Sequence, residues 1–251
     1  MLGKLLKYEL KSSSKFFIPM YFAILVITTL NSIFMRKNMF QEAQGIISMV
    51  IGALFIALTT LTIIVIVKRF KKNLLGDEGY LMFTLPVSSG KLILSKYISA
   101  LIWILLTGVV TMAAVIIYAN GMITLSEGIF RNYLANDNQN FTIILAMIGL
   151  VLSSISIVVF IVYNSIAIAQ LPIFTKYKTL VSIISFFVIG KFVNIVYDLI
   201  GKTIKNPNIY NVESVQVFKR VISIGILENI FIVIILFICL NYTLNKKLNL
   251  D

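Results

Sequence analysis

Six long apolar runs dominate the hydrophobic pattern of the chain. Each run supplies the about 20 apolar residues that a helix needs to cross the hydrocarbon core of a bilayer. The runs lie near 16–34, 46–67, 97–118, 142–168, 180–200 and 222–243. No window alternates apolar and polar residues with period two, which the strands of a membrane barrel would require. The pattern therefore predicts an all-α integral membrane protein, with six transmembrane helices in a single transmembrane domain over 1–251.

Composition separates this chain from soluble proteins. Of its 251 residues, 59% are hydrophobic and only 13% are charged, whereas about a quarter are charged in an ordinary soluble domain. The sequence has no histidine and a single cysteine, Cys239, which excludes His-based triads and an intramolecular disulfide. It also lacks the glycine-rich phosphate loop that precedes a Lys-Ser or Lys-Thr pair. We predict no enzymatic activity, no metal site and no cofactor bound by this chain.

Lysine and arginine are unevenly divided between the two sides of the predicted membrane. Six crossings put both termini on one side, which carries 14 basic residues against seven on the other, with Lys191 inside the fifth run. Because cytoplasmic loops carry the excess of Lys and Arg, the pattern predicts both termini in the cytoplasm. The net charge of +12 predicts attraction to anionic lipid. We do not predict a nucleic-acid partner, because the basic residues cluster at the ends of apolar runs.

Residues 1–15 predict an amphipathic helix before the first apolar run. At 100° per residue its lysines fall within about 80° of one another, and its leucines point the other way. The lysines are Lys4, Lys7, Lys11 and Lys15, and the leucines are Leu2, Leu5, Leu6 and Leu10. This pattern is typical of a helix that lies in the membrane surface with its lysines toward the headgroups. The alternative is a basic leader before a transmembrane helix.

The interruption between the second and third runs, 68–96, is the segment that predicts a partner. It carries six of the 22 Lys and Arg residues, two adjacent acids and an aromatic-rich stretch. The first acid is a good N-cap for a short helix, and large apolar side chains beyond it are typical of interface anchors. We predict a docking element that connects the membrane domain to a cytoplasmic partner; the alternative is that it folds back under its own helices or into headgroups. The predicted contact residues are Asp77, Glu78, Tyr80, Leu81 and Phe83.

Polar side chains inside the last two runs are further candidates, because an unpartnered charge in a bilayer costs several kcal/mol. The residues are Lys191, Asn194 and Asp198 in the fifth run and Glu228 in the sixth. Two functional interpretations are open: Lys191 pairs with Glu228, or the row of three polar residues lines a hydrated pathway. The third interpretation is that these side chains reach toward the outer interface.

Two sequence pieces resemble the membrane permease subunits of bacterial ATP-binding cassette exporters of the six-helix class, which includes peptide and antibiotic exporters. One is Leu6-Lys7-Tyr8-Glu9-Leu10-Lys11, before the first run. The other is Asp77-Glu78-Gly79-Tyr80-Leu81-Met82-Phe83-Thr84-Leu85-Pro86-Val87-Ser88, after the second. The second is typical of permeases from Gram-positive bacteria. The likeness covers the whole six-helix layout, although only these pieces match at the level of a motif.

The resemblance implies a working complex in the bacterial cytoplasmic membrane. Residues 1–15 would be a connecting helix, and residues around 77–84 would be a coupling helix seated on a separate ATPase subunit that binds ATP and Mg²⁺. Two permease copies would form the path, with amphipathic, antimicrobial or cytolytic peptides as the expected cargo. Lipophilic drugs or lipids, and a non-transporting regulatory subunit that docks a cytoplasmic partner, stay open as alternatives. A heterodimer with a related permease and a re-entrant segment at 201–221 are also open.

Overall fold

The computed structural model describes residues 2–37, 41–75, 88–122, 138–174, 176–204 and 215–246. These ranges are almost entirely helical and confirm the six predicted helices. The helices are α1 (Leu2–Arg36), α2 (Gln41–Leu75), α3 (Ser89–Met122), α4 (Asn138–Ala169), α5 (Lys178–Ile204) and α6 (Val215–Lys246). A short 3-10 turn, Pro172–Phe174, lies between α4 and α5. All six helices contain a stretch long and apolar enough to cross a membrane, which makes this a multi-pass membrane protein by length and composition.

Helix α1 is longer than predicted, because it joins the expected amphipathic segment 1–15 to the first apolar run. The helix is continuous from Leu2 to Arg36, with Pro19 inside it. Buried residues recur at four-residue spacing through the junction, at Glu9, Ser13 and Phe17. Residues four apart lie on the same face of a helix, so one inward face continues across the two predicted segments. The structure therefore gives a single helix where the sequence predicted a surface helix and a separate membrane helix.

The described helices form two compact units. The first comprises Met1–Arg69 and Leu94–Ala135, which contain α1 and most of α2 and α3. Its core includes the buried residues Ile24, Leu58 and Ala114, one from each helix. A chain of hydroxyl groups accompanies this core: the Tyr21 hydroxyl lies 2.8 Å from Thr107 Oγ1, which lies 3.3 Å from Thr62 Oγ1. The three helices are thus joined by both apolar packing and hydrogen bonds.

The second unit comprises Phe70–Ile93 and Asn136–Asp251. Helix α4 packs against both α5 and α6, with the larger contact to α6. The contact with α6 includes Asn164, whose Nδ2 donates to the Leu236 carbonyl at 3.0 Å and to the Phe160 carbonyl in its own helix at 2.8 Å. Phe160 also meets Phe237 edge to face. Buried polar and aromatic groups therefore fix the register of α4 on α6.

Helices α2 and α3 extend well into the predicted interruption 68–96. Helix α2 continues to Leu75, and α3 begins at Ser89. The carbonyl of Ser88, the residue before α3, accepts hydrogen bonds from the amides of Lys91 and Leu92. The predicted coupling helix, around 77–84, lies outside the described residues, as does the possible re-entrant part of 205–214.

Candidate functional site

A buried ionic cluster in the first unit joins all three of its helices. Glu9 of α1 is 6% exposed, and Lys96 of α3 is 3% exposed. One carboxylate oxygen, Glu9 Oε1, accepts a hydrogen bond from Lys96 Nζ. The other oxygen, Oε2, lies 2.9 Å from the Nη1 atom of Arg69 in α2. We call Glu9, Arg69 and Lys96 the Glu9 cluster.

Arg69 bonds to the backbone of α1 as well as to its side chain. Its Nη1 donates to the Glu9 carbonyl oxygen at 2.9 Å, in addition to the bond to Oε2. The buried Ser13 hydroxyl donates to the same carbonyl at 2.9 Å. Hydrogen bonds that involve an ionised group are stronger than neutral ones, so Arg69 holds both the side chain and the local backbone of α1.

The electrostatic balance of the cluster depends on one residue. Glu9 supplies the single negative charge, and Arg69 and Lys96 supply two positive charges. Burial lowers the effective dielectric constant, which strengthens attraction and repulsion between charges alike. Removal of the carboxylate would leave two cations close together and poorly solvated, which is strongly unfavourable. Glu9 is therefore the residue on which the three-helix contact depends.

In the second unit, further contacts bind the end of α2 to α4 and the start of α3 to α6. Phe70, the residue after Arg69, stacks on Tyr163 of α4 with ring centroids 4.0 Å apart. The Ser89 hydroxyl, at the start of α3, bonds to Asn241 Oδ1 of α6 at 2.7 Å. The residues on both sides of the predicted docking segment are thus bound to other helices.

The predicted membrane-surface residues and docking residues have different outcomes. Helix α1 exposes the four lysines of its first half, which are Lys4, Lys7, Lys11 and Lys15. A position at the membrane surface stays a prediction for them. The predicted docking residues lie outside the described residues and also stay predictions; they are Asp77, Glu78, Tyr80, Leu81 and Phe83.

The structure does not bring the predicted intramembrane pair together. Lys191, Asn194 and Asp198 are exposed along α5, and Glu228 is half-buried in α6. Among the side chains that the structure describes, no ion pair joins Lys191 to Glu228. The three polar residues of α5 share one face, as predicted. The interpretation that this face borders a hydrated pathway stays a prediction.

A polar network beside Glu228 was missed by sequence reasoning. Asn229, which is 6% exposed, accepts a hydrogen bond from the Tyr197 hydroxyl of α5 through its Oδ1. Its Nδ2 lies 2.8 Å from Ser153 Oγ and 3.1 Å from Ser154 Oγ, both in α4. The signal was present, because an asparagine inside an apolar run requires partners. The network joins α4, α5 and α6 and leaves no polar atom of the Asn229 side chain without a partner.

A groove opens between α2 and α3 in the first unit. Its volume is about 210 Å³, and Gly52, Phe55 and Val115 are among its lining residues. Across it the Tyr118 hydroxyl donates to Ser48 Oγ at 3.0 Å. The small residues Ser48 and Gly52 thus border an open space.

Neither the arrangement of possible metal ligands nor comparison with known proteins identifies the chemistry or the family of the chain. Among the described residues, no group of three His, Cys, Asp or Glu side chains is arranged to hold a metal ion. No family model matches the chain, and neither a curated protein nor a solved structure matches it. The function is therefore inferred from the residues themselves.

Proposed function

We propose that this chain is the membrane-spanning permease subunit of an ATP-driven exporter. In this proposal two copies form the translocation path in a bacterial cytoplasmic membrane. Separate ATP-binding cassette subunits hydrolyse ATP and bind the segment that contains Asp77–Thr84. The cargo is an amphipathic peptide of the antimicrobial or cytolytic type.

The observation that carries the proposal is the double attachment of the helices on either side of that segment. Arg69 and Lys96 are bound by Glu9 in one unit, and Phe70 and Ser89 are bound by Tyr163 and Asn241 in the other. A docking element can move a membrane domain only if its ends are firmly connected to that domain. The attachment of both ends supports a mechanical role over that of a passive linker.

The first test is complex formation with an ATPase. The chain is co-expressed with each phosphate-loop ATPase whose gene lies beside its own, and the two are purified together through a tag on one of them. We expect Tyr80→Ala and Phe83→Ala each to weaken association about 30-fold or more, which corresponds to about 2 kcal/mol for an interface hot spot. Tyr118→Ala, at the predicted outer end of α3, serves as the control and should leave association unchanged.

The outcomes separate the possible functions. If the wild-type chain binds no ATPase, the permease proposal fails. If the complex forms in lipid vesicles and its ATP hydrolysis responds to lipophilic drugs but not to amphipathic peptides, the cargo proposal fails and the exporter proposal stands. If hydrolysis responds to neither and no cargo moves, a regulatory subunit is the better description.

A further inference from the structure

The Glu9 cluster lies beside the first two of the three points where the chain passes from one unit to the other. These two boundaries fall after Arg69 and before Leu94. Arg69 is the last residue before the first boundary, and Lys96 is the third residue after the second. Glu9 thus bonds to the chain on either side of 70–93, although it is separated from Arg69 by 60 positions and from Lys96 by 87.

The single carboxylate of Glu9 therefore fixes the distance between α2 and α3 at Arg69 and Lys96. Each of its oxygens bonds to a cation from a different helix. The cations are kept close because the carboxylate lies between them, and without it they would repel each other in a buried environment. Apolar packing alone would resist this repulsion without removing it.

We propose that Glu9 is a positioning residue that sets the spacing of α2 and α3 where they lead into the docking segment. Its relevance to export rests on the proposed function, but the spacing itself does not. Loss of the Glu9 carboxylate separates the two helices, so that movement of the docking segment no longer reaches them as one unit. Partner binding and coupled ATP hydrolysis then become separable properties.

The experiment measures this spacing directly in the purified full chain. Spin labels are attached at Lys68→Cys and Leu94→Cys, both exposed positions in the first unit, after the native Cys239 is replaced by Ser. Electron paramagnetic resonance then gives the distribution of distances between the labels. We expect Glu9→Gln to lengthen the mean distance and broaden the distribution. Lys11→Gln, which removes an exposed charge from the same helix, should leave the distribution unchanged.

A charge exchange tests whether the carboxylate or its exact position matters. The double substitution Glu9→Lys with Lys96→Glu keeps one carboxylate and two cations in the cluster. We expect this variant to stay as broad as Glu9→Gln, because the ammonium introduced at position 9 faces Arg69 and the carboxylate no longer lies between two cations. A wild-type distribution in this variant would overturn the role of a carboxylate at position 9. If Glu9→Gln does not fold, Lys96→Gln decides the matter, since it releases α3 but retains the pair between Glu9 and Arg69. A folded Glu9→Gln or Lys96→Gln protein with the wild-type distribution would overturn the proposal.

A second readout separates failure of this inference from failure of the proposed function. With the ATPase present, we expect Glu9→Gln to retain ATPase binding but to lose the stimulation of ATP hydrolysis by cargo. If the distances shift and no ATPase binds the wild-type chain, the positioning role stands and the permease proposal fails. If the ATPase binds and the distances do not change, the positioning role fails and the permease proposal stands.

Discussion

Trp103 of α3 contacts α1 in two ways: its side chain packs against an aromatic ring, and its backbone accepts a hydrogen bond. Its ring stacks on Phe17 of α1, with centroids 4.4 Å apart and planes 13° from parallel. Its backbone carbonyl accepts a hydrogen bond from the Tyr21 hydroxyl at 3.3 Å. The buried indole Nε1 has no hydrogen-bond acceptor within the described part of the chain. The Trp103 side chain therefore stabilises the fold through packing and not through a hydrogen bond.

Replacement of Trp103 by Phe should consequently cost far less than replacement by Ala. Phe retains an aromatic surface against Phe17 and removes a buried donor that makes no bond, so we expect a loss of no more than about 1.5 kcal/mol. Ala leaves a cavity, at a cost of about 3–5 kcal/mol. The measurement is the temperature at which half of the detergent-solubilised protein leaves its monodisperse size-exclusion peak. Equal losses for the two variants would show that the indole N–H has an acceptor.

Glu9 marks the limit of sequence reasoning at the residue scale. The resemblance included Glu9 in a short motif, but nothing predicted that it would be buried between two cations. One signal was available: at 100° per residue Glu9 lies about 155° from the centre of the lysine face of α1, among the leucines. An acid on the apolar face of such a helix needs a partner. Its partners could not be identified, because Arg69 and Lys96 are distant in the sequence and many other lysines were available.

At the scale of elements, the sequence predicted the six membrane helices but not where they end. Hydropathy detects the part of a helix that is apolar enough for the bilayer, whereas the helix continues wherever the backbone and its packing allow. Helix α2 therefore runs to Leu75, beyond the predicted end near residue 67, and α3 begins at Ser89, before the predicted start near 97. The same effect joins 1–15 to the first membrane helix. Polar helical extensions are invisible to a hydrophobicity criterion.

Two glycines lie in the contact between α4 and α6. A Cβ atom built on Gly149 would lie 3.3 Å from Ile226 Cδ1, and one built on Gly225 would lie 3.3 Å from Leu150 Cδ1. The contact is reciprocal, because each glycine accepts the side chain next to the other glycine. Small residues at helix contacts in membranes allow the backbones to come close, which accounts for the extensive packing between these helices.

A large side chain at Gly225 should force α6 away from α4. We expect Gly225→Leu to destabilise the protein by about 1–3 kcal/mol through overpacking, measured as a lower denaturation temperature in detergent. Gly108→Leu is the matched control, since a Cβ at Gly108 would have no atom within 4 Å. A Gly225→Leu protein as stable as Gly108→Leu would contradict the close contact of α4 and α6.

At the scale of the whole molecule, α5 is the least covered of the membrane helices. Only 6% of its most apolar stretch is buried, against 17–28% in the other five helices. Its exposed surface includes large apolar residues such as Phe187 and Phe192 as well as the row from Lys191 to Asp198. Apolar exposure suits lipid, but charged exposure within the bilayer is costly. The polar row of α5 therefore needs water, a second molecule or the headgroup region of the membrane beside it.

Cysteine labelling distinguishes a hydrated polar row from a lipid-facing one. Asn194→Cys and Phe192→Cys are compared in a Cys239→Ser background; both positions are exposed, lie at nearly the same depth and point about 160° apart on α5. Because thiolates form only where water is present, we expect a polar maleimide to label Asn194→Cys in intact membranes much faster than Phe192→Cys. Denatured samples, in which both should react fully, provide the control for intrinsic reactivity. Equally slow labelling at both positions would place the polar row against lipid or in a dry contact, and the hydrated pathway along α5 would then be wrong.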